Sequence, residues 1–222
     1  MIKLYNQDCK LCLDDIIQEY QGRKIIIVSD PPFNIGYKYN SYKDKLKENE
    51  YLEFMYQIFS KAPSVIINYP EMLYKIAFKL GQAPTRVVSW VYNSNTARQH
   101  RDIAFFNVEP DFKKVKQPYK NLNDKRIKDR IARGIIGGRL YDLWNVNQVK
   151  NVSKKDTNHH CVMPLKVMEN IIGILPEDAL IIDPFMGTGT TGMACKNLNR
   201  DFIGIEIDRI YYEYANDKLF KN

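Results

Sequence analysis

Two hydrophobic runs in this chain end in an acid followed at once by proline. The first is Ile26-Ile27-Val28-Ser29-Asp30-Pro31-Pro32-Phe33. Two consecutive prolines cannot continue a strand ladder, so the backbone must leave the sheet there, placing the Asp30 carboxylate and the Pro31 carbonyl at a cleft as hydrogen-bond acceptors. Standing alone, the tetrapeptide Asp30-Pro31-Pro32-Phe33 reads equally well as an ordinary strand-terminating turn with a core phenylalanine. It does not stand alone.

The second run is Ile181-Ile182-Asp183-Pro184-Phe185-Met186-Gly187-Thr188-Gly189-Thr190-Thr191-Gly192, a strand, a glycine turn and a helix start. Gly187, Gly189 and Gly192 formally spell the dinucleotide fingerprint, but Asp183 at the strand mouth would repel a pyrophosphate, and no lysine follows the last glycine to make a phosphate loop. Glu206 ends the next predicted strand, Phe202-Ile203-Gly204-Ile205-Glu206, where such folds place an acid that accepts from ribose hydroxyls. These residues ask for a nucleoside with a positive tail, and S-adenosylmethionine fits that description.

The elements that must position these groups alternate along the chain. Ile25 to Ser29 and Val65 to Asn68 read as strands. Tyr51, Phe54, Met55 and Ile58, then Met72, Leu73, Ile76 and Leu80, recur at helical spacing. Val87 to Tyr92 and Ile103 to Val108 predict two strands joined by a polar turn. The C-terminal third predicts a helix from Pro164 to Leu175, a strand Ala179 to Asp183, a helix from Thr190 to about Asn197, the strand Phe202 to Glu206 and a last helix from Arg209. That rhythm is the signature of β-α-β units around a mostly parallel sheet. The Lys- and Tyr-rich stretch from Gly36 to Asn49 lacks an apolar period and reads as a mobile loop over the strand end.

Charge is unevenly distributed. Of the net +7, the span Lys113 to Arg139 carries +8, with ten basic residues against two acids, which leaves the rest of the chain at −1. A solvated face normally mixes signs, so this bias suggests a phosphate-contacting segment, with a merely soluble loop as the alternative. The chain's 222 residues suit one enzyme-sized domain, and its composition of 45% hydrophobic and 27% charged residues is that of a globular protein. Apolar runs are short and the N-terminus has no signal-like pattern, so neither a membrane span nor a secretory leader is expected. Four cysteines are too few for a disulfide scaffold and suit a reducing cytoplasm. Cys9 and Cys12 with His159, His160 and Cys161 could suggest zinc, but three adjacent residues are a poor second half of a ligand set, and no metal is expected.

The pairing of Asp30-Pro31-Pro32-Phe33 with the later Asp183-Pro184-Phe185-x-Gly187-x-Gly189-Thr190-Thr191 resembles the DNA amino-methyltransferases, in the permuted "beta" order that places the catalytic motif before the cofactor motif. Asp8-Cys9 before a helix is similar to the family's segment that meets the cofactor adenine. Tyr141-Asp142-Leu143-Trp144, continuing through Asn151 to Lys155 and on to His159, resembles the stretch leading to the helix that flanks the methionine end. Two departures stand out: His159-His160-Cys161-Val162-Met163-Pro164 lacks the lysine of the commoner motif, and Phe33 replaces a tyrosine.

The resemblance implies an α/β, Rossmann-like methyltransferase fold, with a mostly parallel twisted sheet, helices on both faces and circularly permuted motifs. It implies one catalytic domain over residues 1–222, with a basic target-recognition insertion around 109–140. The implied reaction moves a methyl group from S-adenosylmethionine to the 6-amino group of adenine in DNA, after base flipping, because the family's adenine enzymes carry Asp at the first motif position. Asp30, Pro31, Pro32 and Phe33 are then catalytic. Asp8, Cys9, Asp183, Phe185, Gly187, Gly189, Thr190 and Glu206 serve the cofactor. Lys113, Lys114, Lys116, Lys125, Arg126, Lys128, Arg130 and Arg133 contact DNA. An RNA adenine methyltransferase, a cytosine 4-amino DNA methyltransferase, an idle nucleic-acid binder and, more distantly, a nicotinamide oxidoreductase are the competing readings. A homodimer and a restriction partner stay open.

Overall fold

The computed structural model describes residues 1–39, 41–149 and 162–221. In chain order its elements are β1 (Ile2–Asn6), α1 (Cys9–Glu19), β2 (Ile25–Ser29), α2 (Glu48–Phe59), β3 (Ser64–Asn68), α3 (Pro70–Leu80), β4 (Arg86–Val91), β5 (His100–Phe106), β6 (Lys116–Gln117), α4 (Lys125–Ala132), β7 (Gly138–Arg139), β8 (Leu143–Asn145), α5 (Leu165–Ile174), β9 (Leu180–Asp183), α6 (Thr190–Asn197), β10 (Phe202–Glu206) and α7 (Arg209–Phe220). Eight strands form one sheet in the order β1-β10-β9-β2-β3-β5-β4-β8, while β6 and β7 pair separately. From β1 to β3 every neighbouring pair is parallel, and β5 alone runs against its neighbours. The expected mostly parallel α/β architecture is what the chain adopts.

Local chemistry explains the elements. β2, β3, β9 and β10 are buried at every position, as central parallel strands covered on both faces must be. Helix α1 starts where the Asp8 side chain accepts from the Lys10 N–H, and it buries Cys9, Cys12, Leu13 and Ile16, one face at helical spacing. Helix α3 opens on Pro70 and stops at Gly81, whose φ of 70° gives a left-handed cap. The alternate residues of each strand feed two apolar layers. One joins Ile26, Val28, Val65 and Ile181 to α5, α6 and α7; the other joins Ile25, Ile27, Ile66 and Ile182 to α1, α2 and α3.

This layering creates the site. From β2 the chain passes through α2 to β3 on one side, and from β9 it passes through α6 to β10 on the other, so the connections diverge between β2 and β9. A crevice must open at the carboxyl ends of those two strands, the place where open α/β sheets bind ligands. Both proline-terminated acids lie there.

Two expectations need correction. The strand predicted from Ile103 begins at His100, because pairing of Arg101 with Trp90 and of Asp102 with Asn68 and Ser89 extends the ladder into what reads as a polar turn. The stretch from Gly36 also ends sooner than expected, since α2 starts at Glu48; within it the buried Asp44 carboxylate accepts from the N–H groups of Asn34, Ile35 and Tyr37 at 2.7, 3.1 and 2.9 Å. The stretch 150–161, with His159, His160 and Cys161, lies outside the described residues. Cys9 and Cys12 are buried on α1, where burial pushes the Cys9 thiol up to about 12.

Gly189 caps α6 at a φ of +75°, and a Cβ there would lie 2.9 Å from the Ala215 Cβ of α7. Gly189→Ala combines left-handed strain with overpacking, and should cost about 2–4 kcal/mol of stability. Chemical denaturation measures this; a loss below about 0.5 kcal/mol would show that α6 and α7 are not packed as described.

Candidate functional site

The crevice is a cavity bounded by the ends of β2, β9 and β10, the first turn of α1 and the loop 34–46. At its floor Asp183 is almost fully buried. Its Oδ1 accepts from the Ser29 hydroxyl at 2.6 Å and the Phe185 N–H at 3.1 Å, and its Oδ2 accepts from the Thr191 hydroxyl at 2.5 Å. Burial raises its pKa, and these hydrogen bonds oppose that rise. Asp183 therefore does more than present a charge, because it binds the last residue of β2 to the first turn of α6.

Glu206 is held beside it. Its Oε2 accepts from the Gly187 N–H at 2.9 Å, and its Oε1 from the Asp208 N–H at 2.8 Å. Gly187 takes a φ of +51°, the left-handed turn that brings its N–H to the carboxylate. Each oxygen keeps a further lone pair, so a carboxylate at this position can still accept from a ligand's hydroxyls. Burial pushes the Glu206 carboxyl up to about 7, against the two N–H donors. Asp8, Cys9, Phe185, Gly187 and Thr190 also line the cavity. Phe185 meets Phe54 edge to face at 5.6 Å, and Lys10 lies 5.1 Å from the Phe54 ring centroid. Gly189 does not line the cavity; it serves the turn and its packing against α7.

The β2 end holds the other acid. Asp30 Oδ1 is buried with no hydrogen-bond partner among the described residues, while Oδ2 lies 3.7 Å from Nη1 of Arg101. Burial pushes the Asp30 carboxyl up to about 6; Arg101 opposes that rise, and the nearby Asp183 adds to it. A buried acceptor without a donor is costly unless a ligand supplies one, so this atom points to a donor-bearing substrate. Pro31 and Pro32 line the cavity, and the Pro32 carbonyl is occupied by the Tyr51 hydroxyl at 2.8 Å, which in turn accepts from Asn68. Phe33 packs edge-on to Tyr69 at 5.1 Å. The Arg101 guanidinium lies over the Phe33 ring, 4.6 Å from the centroid.

The loop 34–46 crosses the cavity and is tied to the far wall where Ser41 donates to Asp208 Oδ2 at 2.9 Å. The basic segment lies elsewhere. Lys113, Lys114, Lys116, Lys125, Arg126, Lys128, Arg130 and Arg133 are all exposed, and none lines the cavity. Helix α4 carries four of them, with Arg133 as its C-cap; it is capped by Asp124 at its start and buries no residue. Lys114 is paired with Glu177 at 3.1 Å, and Arg126 with Asp124 at 3.2 Å.

Sequence reasoning missed Arg101, Asp44, Ser29 and Asp208. Ser29 is the polar residue ending an apolar strand, and Asp44 is the lone acid between Gly36 and Lys47, so both left a trace. Arg101 left none. Among the described residues no cluster of three or more His, Cys, Asp or Glu could hold a metal ion, and no helix is long and apolar enough to cross a membrane.

This geometry has counterparts. The chain is 28% identical to the type II methyltransferase M.HpaI of Haemophilus parainfluenzae over 87% of its length and 67% of that protein, and 27% identical to M.BglII of Bacillus subtilis over 96% and 67%. Its fold matches the M1.HpyAVI–SAM complex at a TM-score of 0.65, with 25% identity over 99% of this chain and 100% of that one. It also matches the cytosine-N4-specific PvuII DNA methyltransferase at 0.66, with 16% identity, covering 100% of this chain and 87% of that one. The DNA methylase family model matches residues 25–217, which contain both proline-terminated acids, the glycine turn and Glu206. The chain thus belongs to the DNA methylase family, the S-adenosylmethionine-dependent enzymes that methylate an exocyclic amino group of adenine or cytosine in DNA.

Proposed function

We propose that this protein methylates the 6-amino group of adenine in DNA, with the Asp30 side of the crevice receiving the flipped base and the Glu206 side the cofactor. The observation that carries the reading is the buried, donor-less Asp30 Oδ1 beside Phe33. The choice of adenine is supported by the aspartate that opens Asp30-Pro31-Pro32-Phe33, which resembles the adenine enzymes of the family.

An exocyclic amine on a purine is a poor nucleophile because its lone pair is delocalised into the ring. Asp30 and the Pro31 carbonyl, accepting its two protons, draw the nitrogen towards tetrahedral geometry and stabilise positive charge as it develops. When bound, S-adenosylmethionine supplies the electrophilic methyl group on its sulfonium. The residues present suit that group: Glu206 has spare acceptor capacity for ribose hydroxyls, Asp8 and Cys9 form a wall at the start of α1, and the acids at the strand mouths favour a cationic tail. A base within a duplex cannot reach so recessed a carboxylate, so it must leave the stack, and contact with Phe33 would return roughly 1–3 kcal/mol. The span around 109–140, within a single catalytic domain over 1–222, would hold the DNA backbone through α4 and the lysines before it. A homodimer or a restriction partner would be assembled on this unit without altering the chemistry.

Asp30→Ala should retain S-adenosylmethionine affinity and DNA binding while methyladenine formation falls at least ~100- to 1000-fold. Mass spectrometry of digested DNA scores it. Methyladenine produced at the parent rate would remove Asp30 from catalysis, methylcytosine from the parent enzyme would reassign the base, and methylation confined to RNA would reassign the substrate.

Glu206 generates a pH prediction. Ligand hydroxyls donate to the carboxylate form, so binding favours ionisation, and affinity must fall as pH drops through the unliganded value of about 7. Calorimetry between pH 6 and 8.5 should show S-adenosylmethionine affinity level at the alkaline end and declining by up to about tenfold per pH unit below it. Glu206→Ala should weaken binding by about 1.5–3 kcal/mol. Parent affinity that is flat across the range would exclude the raised Glu206 carboxyl, and unchanged affinity in Glu206→Ala would exclude Glu206 as the ribose acceptor.

For α4, each true phosphate contact removed should lower the slope of log affinity against log salt by roughly 0.9. Neutralising Lys125, Arg126 and Lys128 together should lower it by up to about 2.7. An unaltered slope would return the helix to a solvated surface.

A further inference from the structure

Among the described residues, Arg101 is the one basic side chain in contact with both Asp30 and Phe33. It reaches them because β5 is antiparallel to its neighbours, so its first residues lie where β2 and β3 end. Its guanidinium lies 3.7 Å from Asp30 Oδ2, 4.6 Å from the Phe33 centroid, 5.4 Å from Trp90 and 5.8 Å from Tyr69. Nη1 is 3.9 Å from the Met163 sulfur, and only about an eighth of the side chain is exposed. A planar cation thus covers the ring on which a flat base would stack, and pairs with the carboxylate that would receive the base's amine.

We infer that Arg101 is a positioning residue of the methyl-transfer site, which fixes the Asp30 carboxylate in its ionised form and covers Phe33 until an incoming base takes that face. The inference rests on the proposed role of Asp30 and extends it to a residue that the motif does not contain. Two consequences oppose one another. As the counter-ion, Arg101 supports catalysis, because only the ionised carboxylate can accept a hydrogen bond from the amine through either oxygen without carrying a proton of its own. As the occupant of the Phe33 face, it makes base entry harder, and so discriminates against anything that cannot displace a stacked guanidinium.

Among the described residues, the charged and titratable groups that face Asp30 are Arg101 on β5, Asp183 at the end of β9, the Tyr51 hydroxyl on α2 and the Tyr92 hydroxyl just after β4. Burial pushes both tyrosines up, so they stay neutral through the working range. Arg101 alone among the four lowers the Asp30 pKa, while Asp183 raises it. Removing the guanidinium must therefore move Asp30 further up from about 6, towards neutrality.

The test is the pH profile of kcat/KM for unmethylated genomic DNA at saturating S-adenosylmethionine, which reports the free enzyme's groups and keeps Glu206 liganded throughout. Arg101→Met should move the acid limb up by about one pH unit. Methylation would then fall roughly tenfold below the limb and recover at pH 8.5, with no rise in KM for DNA. Arg101→Lys keeps the charge without the plane, so its limb should stay in place while its KM for DNA falls. A limb unmoved in Arg101→Met, or a loss uniform across pH, would overturn the inference and leave Arg101 as packing. Should Arg101→Met fail to fold, Arg101→Lys decides: a displaced limb or a raised KM overturns the proposal. Asp30→Ala run alongside separates the two readings, since an active Asp30→Ala removes the parent proposal, whereas an inactive one with an unmoved Arg101→Met limb removes only this one.

Discussion

The buried Asp183 carboxylate is the joint on which the site depends. Taking a carboxylate out of water costs several kcal/mol unless donors replace the solvent, and here the Ser29 hydroxyl, the Thr191 hydroxyl and the Phe185 N–H do so. Each donor belongs to a different piece of the crevice: the last residue of β2, the first turn of α6 and the turn between β9 and α6. The charge therefore cannot be satisfied unless all three are in place. Ser29 and Asp183 are 154 residues apart in sequence, yet they meet because β2 and β9 are neighbours in the sheet. Adjacency in the sheet, rather than along the chain, is what the chemistry requires, and this is why the motif order can be permuted without cost to the geometry.

Around that joint the charge is divided between inside and outside. Asp30, Asp183, Glu206 and Asp208 converge on the cavity, and burial raises the first three. The strongly basic segment is held on the surface, four of its basic residues on α4, a helix with no buried residue. Such a division suits a polyanion that must stay outside while one of its neutral bases comes in. Phosphates would be repelled from the crevice by the acids and attracted to α4, whereas a base carries no charge to oppose its entry. The same acids would favour a cationic cofactor, so one arrangement of charge would suit both ligands of the proposed reaction.

How much of this was legible in the sequence depended on the range of the interaction. The buried strands β2, β3, β9 and β10 appear as continuous apolar runs, and α2 and α3 as repeats at helical spacing, because each residue's burial there is set by its own element. The turns at Asp30 and Asp183 were legible for a similar reason, as proline and glycine act on the local backbone. The start of β5 was not: His100, Arg101 and Asp102 are polar, and only pairing with β4 and β3 makes them strand. Asp44 likewise read as one more polar residue in a loop, although its carboxylate organises the backbone directly after Phe33.

The site divides along the same line. Motif residues identify where acceptors stand, but the protonation state of an acceptor is set by whatever the fold places around it. Asp30 and Asp183 look alike in sequence, each an acid before a proline at the end of an apolar run. In the structure Asp183 is surrounded by donors and serves as a joint, whereas one oxygen of Asp30 has no donor and the other faces a guanidinium brought by a strand some 70 residues later. A buried carboxylate with three donors already in place, as at Asp183, gains little from a further one. One left without a donor gains the full value of the missing hydrogen bond when an amine arrives. That difference, invisible in the two motifs themselves, gives Asp183 an architectural part at the crevice and is what supports the proposed chemistry at Asp30.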